Sequence, residues 1–182
     1  MQVPEGFEPK VCFTDSQILD DYIHAGNAVL RLQAPSGKAH TYVYKIPRDI
    51  GGYDVKRRFV YARHENEKTG LIQEFYLGQL SPNTDLFELT RASRFLPGTE
   101  IVNGAIYIDK MRRNQDLFSA SPMKLYHLGF CGRCGRPLED EESLKYGLGK
   151  KCRKRIDEFV EADVIPTDDY VARENAALTK PF

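Results

Sequence analysis

The chain has no tryptophan, no net charge and no apolar run that approaches a membrane span. Each absence excludes something. Twenty-six Lys/Arg balance twenty-six Asp/Glu, so a globally basic nucleic-acid binder is ruled out and only local patches remain. Without an apolar stretch of about 20 residues there is no transmembrane helix to place. The opening Met-Gln-Val-Pro-Glu-Gly lacks the charged-then-apolar pattern of a secretion signal. Four cysteines, three bunched and one remote, do not make a secreted disulfide scaffold, and a reducing cytoplasm is the expected setting. No internal repeat or low-complexity tract is present. What is there is ordinary for a globular chain of one domain, or one domain plus a small satellite: 41% hydrophobic and 29% charged residues.

Residues 1–27 are weakly patterned and read as an N-terminal arm with a short helix around Asp15–Ala25. From Ala28 the pattern becomes β. Runs at 28–34 and 39–46 flank the turn sequence Pro35-Ser-Gly-Lys38, a second pair lies at 58–63 and 73–80, and Ser81-Pro-Asn-Thr-Asp85 turns into 86–90. Short strands with hairpin-length connections predict a meandering antiparallel sheet. Residues 99–114 fit two descriptions. Asn103-Gly104 is a hairpin signal, while Ile101, Ala105, Ile108 and Met111 form a helical stripe with Thr99 as cap; helix is the preferred reading. Residues 123–127 read as a strand, 140–146 as a helix ended by Gly147, and 150–161 as a second helix. The predicted class is α+β: a sheet domain with one packed helix over 28–122, a zinc-knuckle and helix module over 123–161, and an acidic tail over 162–182.

The chemistry concentrates in the C-terminal third. Cys131-Gly-Arg-Cys134 places two thiolates on one tight turn, and Cys152 follows after seventeen intervening residues. Cys152 falls where a helix is expected to begin, a position that lowers a thiol pKa and favours the metal-binding form. His127, with three residues between it and Cys131, is the expected fourth ligand of one structural Zn2+; Cys12 is its competitor, provided the fold returns the N-terminus to the knuckle. Three thiolates and a histidine close a tetrahedral site and leave no position for water. Catalytic zinc patterns are missing: Phe130, not proline, precedes Cys131, no histidine is followed two residues later by glutamate, and His-Glu-x-x-His is absent. A non-enzymatic protein is expected.

Charge is uneven around this motif. Residues 127–160 hold eight Lys/Arg against six Asp/Glu, and 161–182 hold two against five. Arg133 and Arg136 on the knuckle, with Lys150, Lys151, Arg153, Lys154 and Arg155 beyond it, are candidates for nucleic-acid phosphates; the bland alternative is the solvated side of a helix. The acidic tail and neutral total suit a protein partner instead. Aromatic pairs Tyr42/Tyr44 and Phe59/Tyr61, beside Arg57 and Arg58, would stack single-stranded bases if exposed and would form core if buried; core is the default.

The order Cys131–Leu138, the acidic serine-containing stretch Glu139–Ser143, then Gly147-Leu-Gly149-Lys-Lys-Cys152 resembles the signature of a zinc-knuckle domain family of unknown function common in bacteriophage and actinobacterial proteins. Phe75-Tyr-Leu-Gly78 and Phe87–Arg94 are similar to the strand pair that precedes this motif, extending the resemblance over 28–155. Asn103-Gly104 and the acidic tail depart from it. The resemblance brings no activity to transfer. It implies a small accessory protein encoded by a phage or mobile element. The basic residues make nucleic acid the first candidate partner, and the acidic tail and balanced charge make a host enzyme or defence complex the alternative.

Overall fold

Alternating burial in the β-rich runs draws them into one seven-stranded antiparallel sheet in the computed structural model, which describes residues 11–46, 58–66 and 69–154. The chain divides into two compact units, Met1–Gly149 and Lys150–Phe182. In the second, residues 150–154 are described and are helical; the rest of the expected 150–161 helix, and the tail after it, lie outside the described residues.

Within the first unit, β2 (Asn27–Gln33) and β3 (Ala39–Lys45) pair through the predicted turn, with Val29 opposite Val43. β4 (Arg58–Glu65) and β5 (Ile72–Leu80) extend the meander, and a short β6 (Phe87–Glu88) closes that edge. The other edge was not foreseen. β1 (Val11–Cys12) and β7 (Lys124–His127) add to it in the order β1-β7-β2, with His127 between Val11 and Leu30. Residues 11–27 therefore form part of the sheet domain, not a free arm, and residues 1–10 lie outside the described residues. The strand leading into the cysteines belongs to the main sheet.

Helices pack on one face. α1 (Ser16–His24) starts at Asp15, whose carboxylate accepts from the amides of Gln17 and Ile18, and it buries Leu19, Tyr22 and Ile23. α2 (Glu100–Arg112) confirms the helical reading of 99–114, with Val102, Ala105, Ile108 and Met111 inward. Thr99 makes no side-chain cap bond; its hydroxyl donates to the Leu96 carbonyl. Asn103-Gly104 is not a turn. A Cβ at Gly104 would lie 2.0 Å from the Tyr42 Oη, whose hydroxyl donates to the Ile101 carbonyl at 3.0 Å. The glycine lets the helix approach the sheet.

Tyr42 and Tyr44 are fully buried beneath these helices, as the default reading had it. Phe59 and Tyr61 alternate to the opposite face and are half-buried. A short α3 (Gln115–Ala120), capped by Asn114 through the Leu117 amide, is an element the sequence reading missed. α4 (Glu141–Tyr146) follows the knuckle, capped by Asp140 through the Ser143 amide and ended by left-handed Gly147.

Candidate metal centre

Cys131 and Cys134 occupy the turn between β7 and α4. The turn is tied by the Cys131 amide to the Arg136 carbonyl at 2.8 Å, by the Gly135 amide to the Cys131 carbonyl at 2.9 Å, and by the Leu138 amide to the Gly129 carbonyl at 2.8 Å. It sits directly on Tyr22 of α1. A Cβ at Gly132 or at Gly147 would fall 2.6 Å from the Tyr22 ring, and the Gly132 carbonyl accepts from the Asn27 amide at 2.7 Å. Tyr22 itself is locked by its hydroxyl, which donates to the Val29 carbonyl. Two glycines flattened against one buried ring hold the cysteine turn at the end of β2.

The ligand atoms of Cys131, Cys134 and Cys152 all lie within 4.8 Å of one another. Four-coordinate zinc holds thiolates at about 2.3 Å, which sets the sulfurs roughly 3.8 Å apart, so the group is within about 1 Å of ligand spacing. Cys131 is buried, Cys134 exposed and Cys152 half-buried, and all four cysteines of the chain are free thiols. Burial pushes the Cys131 thiol up, but hydrogen bonds from the backbone at Cys134, Gly149 and Arg133 outweigh it and hold the thiol below its ordinary value. The turn thus favours the thiolate that a metal needs. The three cysteines can hold a metal ion, and their softness suits zinc.

His127 does not join this group, and the expected Cys3His set is not assembled. The histidine is fully buried on the helix-covered face. Its Nε2–H donates to the Leu144 carbonyl at 2.6 Å, and its Nδ1 accepts from the Gly129 amide at 3.1 Å. Those two bonds define the neutral ring and use both nitrogens. Burial lowers its pKa further, with the Leu144 bond acting in the opposite direction. The ring packs against Phe13 and Tyr22, with centroids 5.4 and 5.7 Å away. Its role is to tie α4 to the sheet.

Cys12, the competing ligand, does return to β7 through its pairing opposite Tyr126, yet it too stays apart. Its thiol donates to the Phe13 carbonyl, and burial raises its pKa. Every cysteine and histidine of the chain lies among the described residues, and no fourth one stands with the three thiols.

The candidate phosphate contacts have mixed surroundings. Arg136, Lys150, Lys151 and Lys154 are exposed, Arg133 and Arg153 are half-buried, and Arg155 lies outside the described residues.

A second group of metal-type side chains, Asp20, His24 and Asp85, escaped the sequence reading because its members come from distant segments. Here the cation is already present. Arg112, with a side chain 1% exposed, binds Asp20 at 2.5 Å, Asp85 at 2.7 Å and Asp109 at 2.8 Å, while His24 Nε2 meets Asp85 at 3.0 Å. Asp85 takes a positive φ of 54° so that both its carboxylate and its carbonyl reach Arg112. Burial alone would lower the His24 pKa, but hydrogen bonds to Asp20 and Asp85 carry it up to about 9. Burial pushes Asp85 up, and His24 and Arg112 pull it down to about 2. The group is an ion-paired joint between α1, α2 and the β5–β6 turn. A metal there would meet the Arg112 charge.

Among the described residues no helix is long and apolar enough to cross a membrane. Comparison with curated proteins and with solved structures finds no match to the chain. Residues 125–157, a span shorter than the expected 28–155 and containing all three clustered cysteines, match the model of a family of unknown function, DUF6011.

Proposed function

We propose that this is a zinc-binding, non-enzymatic accessory protein of phage or mobile-element origin that associates with nucleic acid through the basic residues around its cysteine knuckle. The observation that carries the reading is the convergence of three thiols within 4.8 Å on a turn that favours thiolate. A metal there serves to hold the knuckle's backbone, because a thiolate cluster without its ion is three adjacent negative charges. Arg136, Lys150, Lys151 and Lys154 are exposed in the segment that the metal orders, which suits phosphate contacts. The fourth position is completed by a donor other than Cys12 or His127.

The test is direct. Purified protein carries about one zinc per chain, and replacing it with cobalt gives the thiolate-to-metal charge-transfer band that Cys131→Ser removes. Affinity for a labelled oligonucleotide falls steeply with salt and weakens when Lys154 and Arg155 become glutamate. Metal-free protein with an intact knuckle overturns the zinc reading, and binding insensitive to salt and to those charges overturns the nucleic-acid reading. The neutral total charge and the five carboxylates against two cations in 161–182 favour a second reading, a module that inhibits or redirects a host enzyme or defence complex. Capture of a defined host protein after nuclease treatment, together with absent oligonucleotide binding, would establish it.

A further inference from the structure

The sheet face opposite the helices carries a patterned surface that the knuckle does not explain. Strand register aligns its side chains in rows across the sheet. One row runs Val29, Val43, Tyr61, Tyr76; the next runs Asn27, Lys45, Phe59, Gln79; a third runs Tyr126, Arg31, Thr41, Arg63, Glu74. The irregularity between Val60 and Tyr61 brings Tyr61 opposite Tyr76. Tyr76 meets Phe59 and Tyr61 edge-on, each with centroids 5.7 Å apart, and the three rings are half-buried, with part of each ring in solvent. Lys45 lies over the Tyr61 ring with its ammonium 5.4 Å from the centroid. Glu74 holds Lys45 on one side and Arg63 at 2.8 Å on the other.

We propose that this face binds a single-stranded polynucleotide, bases stacking on Tyr61, Tyr76 and Phe59 and phosphates meeting Lys45, Arg63 and Arg31. Two features favour that occupant. Arg31, Lys45, Arg63 and Lys124 share this side of the sheet with three carboxylates, Glu65, Glu74 and Glu88, a local excess of one positive charge, whereas the whole chain is neutral. The complementarity is therefore local and of the sign a phosphate backbone needs. The aromatic rings form a contiguous patch with cations interleaved, the arrangement by which sheets take up unpaired bases without reading a particular sequence. A duplex hides its base faces and would gain nothing from the rings. The proposal stands or falls independently of the knuckle.

The experiment uses the full, zinc-loaded chain with fluorescein-labelled oligo(dT), followed by anisotropy. Because the chain has no tryptophan, tyrosine emission provides a second signal, quenched when bases stack. Tyr61→Leu and Tyr76→Leu should each weaken binding roughly tenfold. Lys45→Ala should lower the salt slope by about one. Glu74→Gln, by releasing two cations, should tighten binding, a change that a purely structural role would not produce. Unchanged melting of each variant confirms that the fold is intact. Oligo(U) of equal length shows whether ribose alters affinity. The proposal is overturned if the tyrosine variants bind as wild type, if Glu74→Gln weakens binding, if duplex binds more tightly than single strand, or if Lys150→Glu/Lys151→Glu abolishes binding while the sheet variants leave it untouched.

Discussion

Among the described residues two clusters of metal-type side chains stand out, and their electrostatics are opposite. Cys131, Cys134 and Cys152 gather three thiols, with the backbone favouring thiolate at Cys131. Asp20, His24 and Asp85 gather oxygen and nitrogen donors at similar spacing around Arg112, whose guanidinium supplies the positive charge an ion would otherwise bring. Donor spacing does not distinguish them. The resident cation does: Arg112 already supplies the positive charge of the second cluster, while the three thiols could hold a metal ion.

The largest effect should come from removing the proposed zinc. Chelation, or Cys134→Ser, takes away a binding energy of about 10–16 kcal/mol typical of structural zinc, and should unfold at least the α4 segment, with loss of amide protection from Gly129 to Gly149 in hydrogen exchange. The Arg112 joint should keep its protection under the same treatment. The converse break is Arg112→Met. It removes the buried guanidinium that joins Asp109, 10% exposed, to Asp20 and Asp85, leaving only Arg113 and His24 beside these carboxylates, and should cost about 3 kcal/mol in urea denaturation while leaving zinc content unchanged.

Gly104→Ala tests the packing that places α2 over the sheet. Its methyl would clash with the Tyr42 hydroxyl, so a loss of about 1–3 kcal/mol is expected, partly restored by adding Tyr42→Phe. The smallest effect separates the clusters by pH. His24 has its folded pKa raised from 6.5 to about 9, so its contribution is full below about pH 6.5 and disappears as pH rises through 9. Asp85, held at about 2, contributes above its ordinary value and loses that contribution as pH falls toward 2. The metal cluster fails in acid, when protons compete for the thiolates. Melting temperature should therefore decline on the alkaline side in a way His24→Gln abolishes, while zinc release should track acid and ignore that substitution.

Much of the local architecture was legible. The hairpin of β2 and β3 follows from alternation around a turn sequence, and α4 follows from Asp140 at one end and Gly147 at the other. These signals act between near neighbours. His127 shows where that reach ends. Its spacing from Cys131 suits a ligand, but its ring orientation is set by β7 lying between β1 and β2, which turns it toward Phe13, Tyr22 and the Leu144 carbonyl. Gly104 supplied a competing hairpin signal for the same reason, since the partner that requires a glycine there is Tyr42, distant in the chain. Phe59 and Tyr61 alternate as expected, yet only the helices on the other face decide that Tyr42 and Tyr44 become core while they do not.

By itself, then, the sequence determined the thiol motif, the α+β character and the balance of charge, because these depend on residue type, short spacing and count. Only the tertiary structure decided which donors meet. Three cysteines converge, His127 and Cys12 are consumed by backbone bonds, and Arg112 collects carboxylates from α1, α2 and a turn. The physical reason is that ligand choice depends on what else competes for each atom, and those competitors arrive through strand order and helix packing.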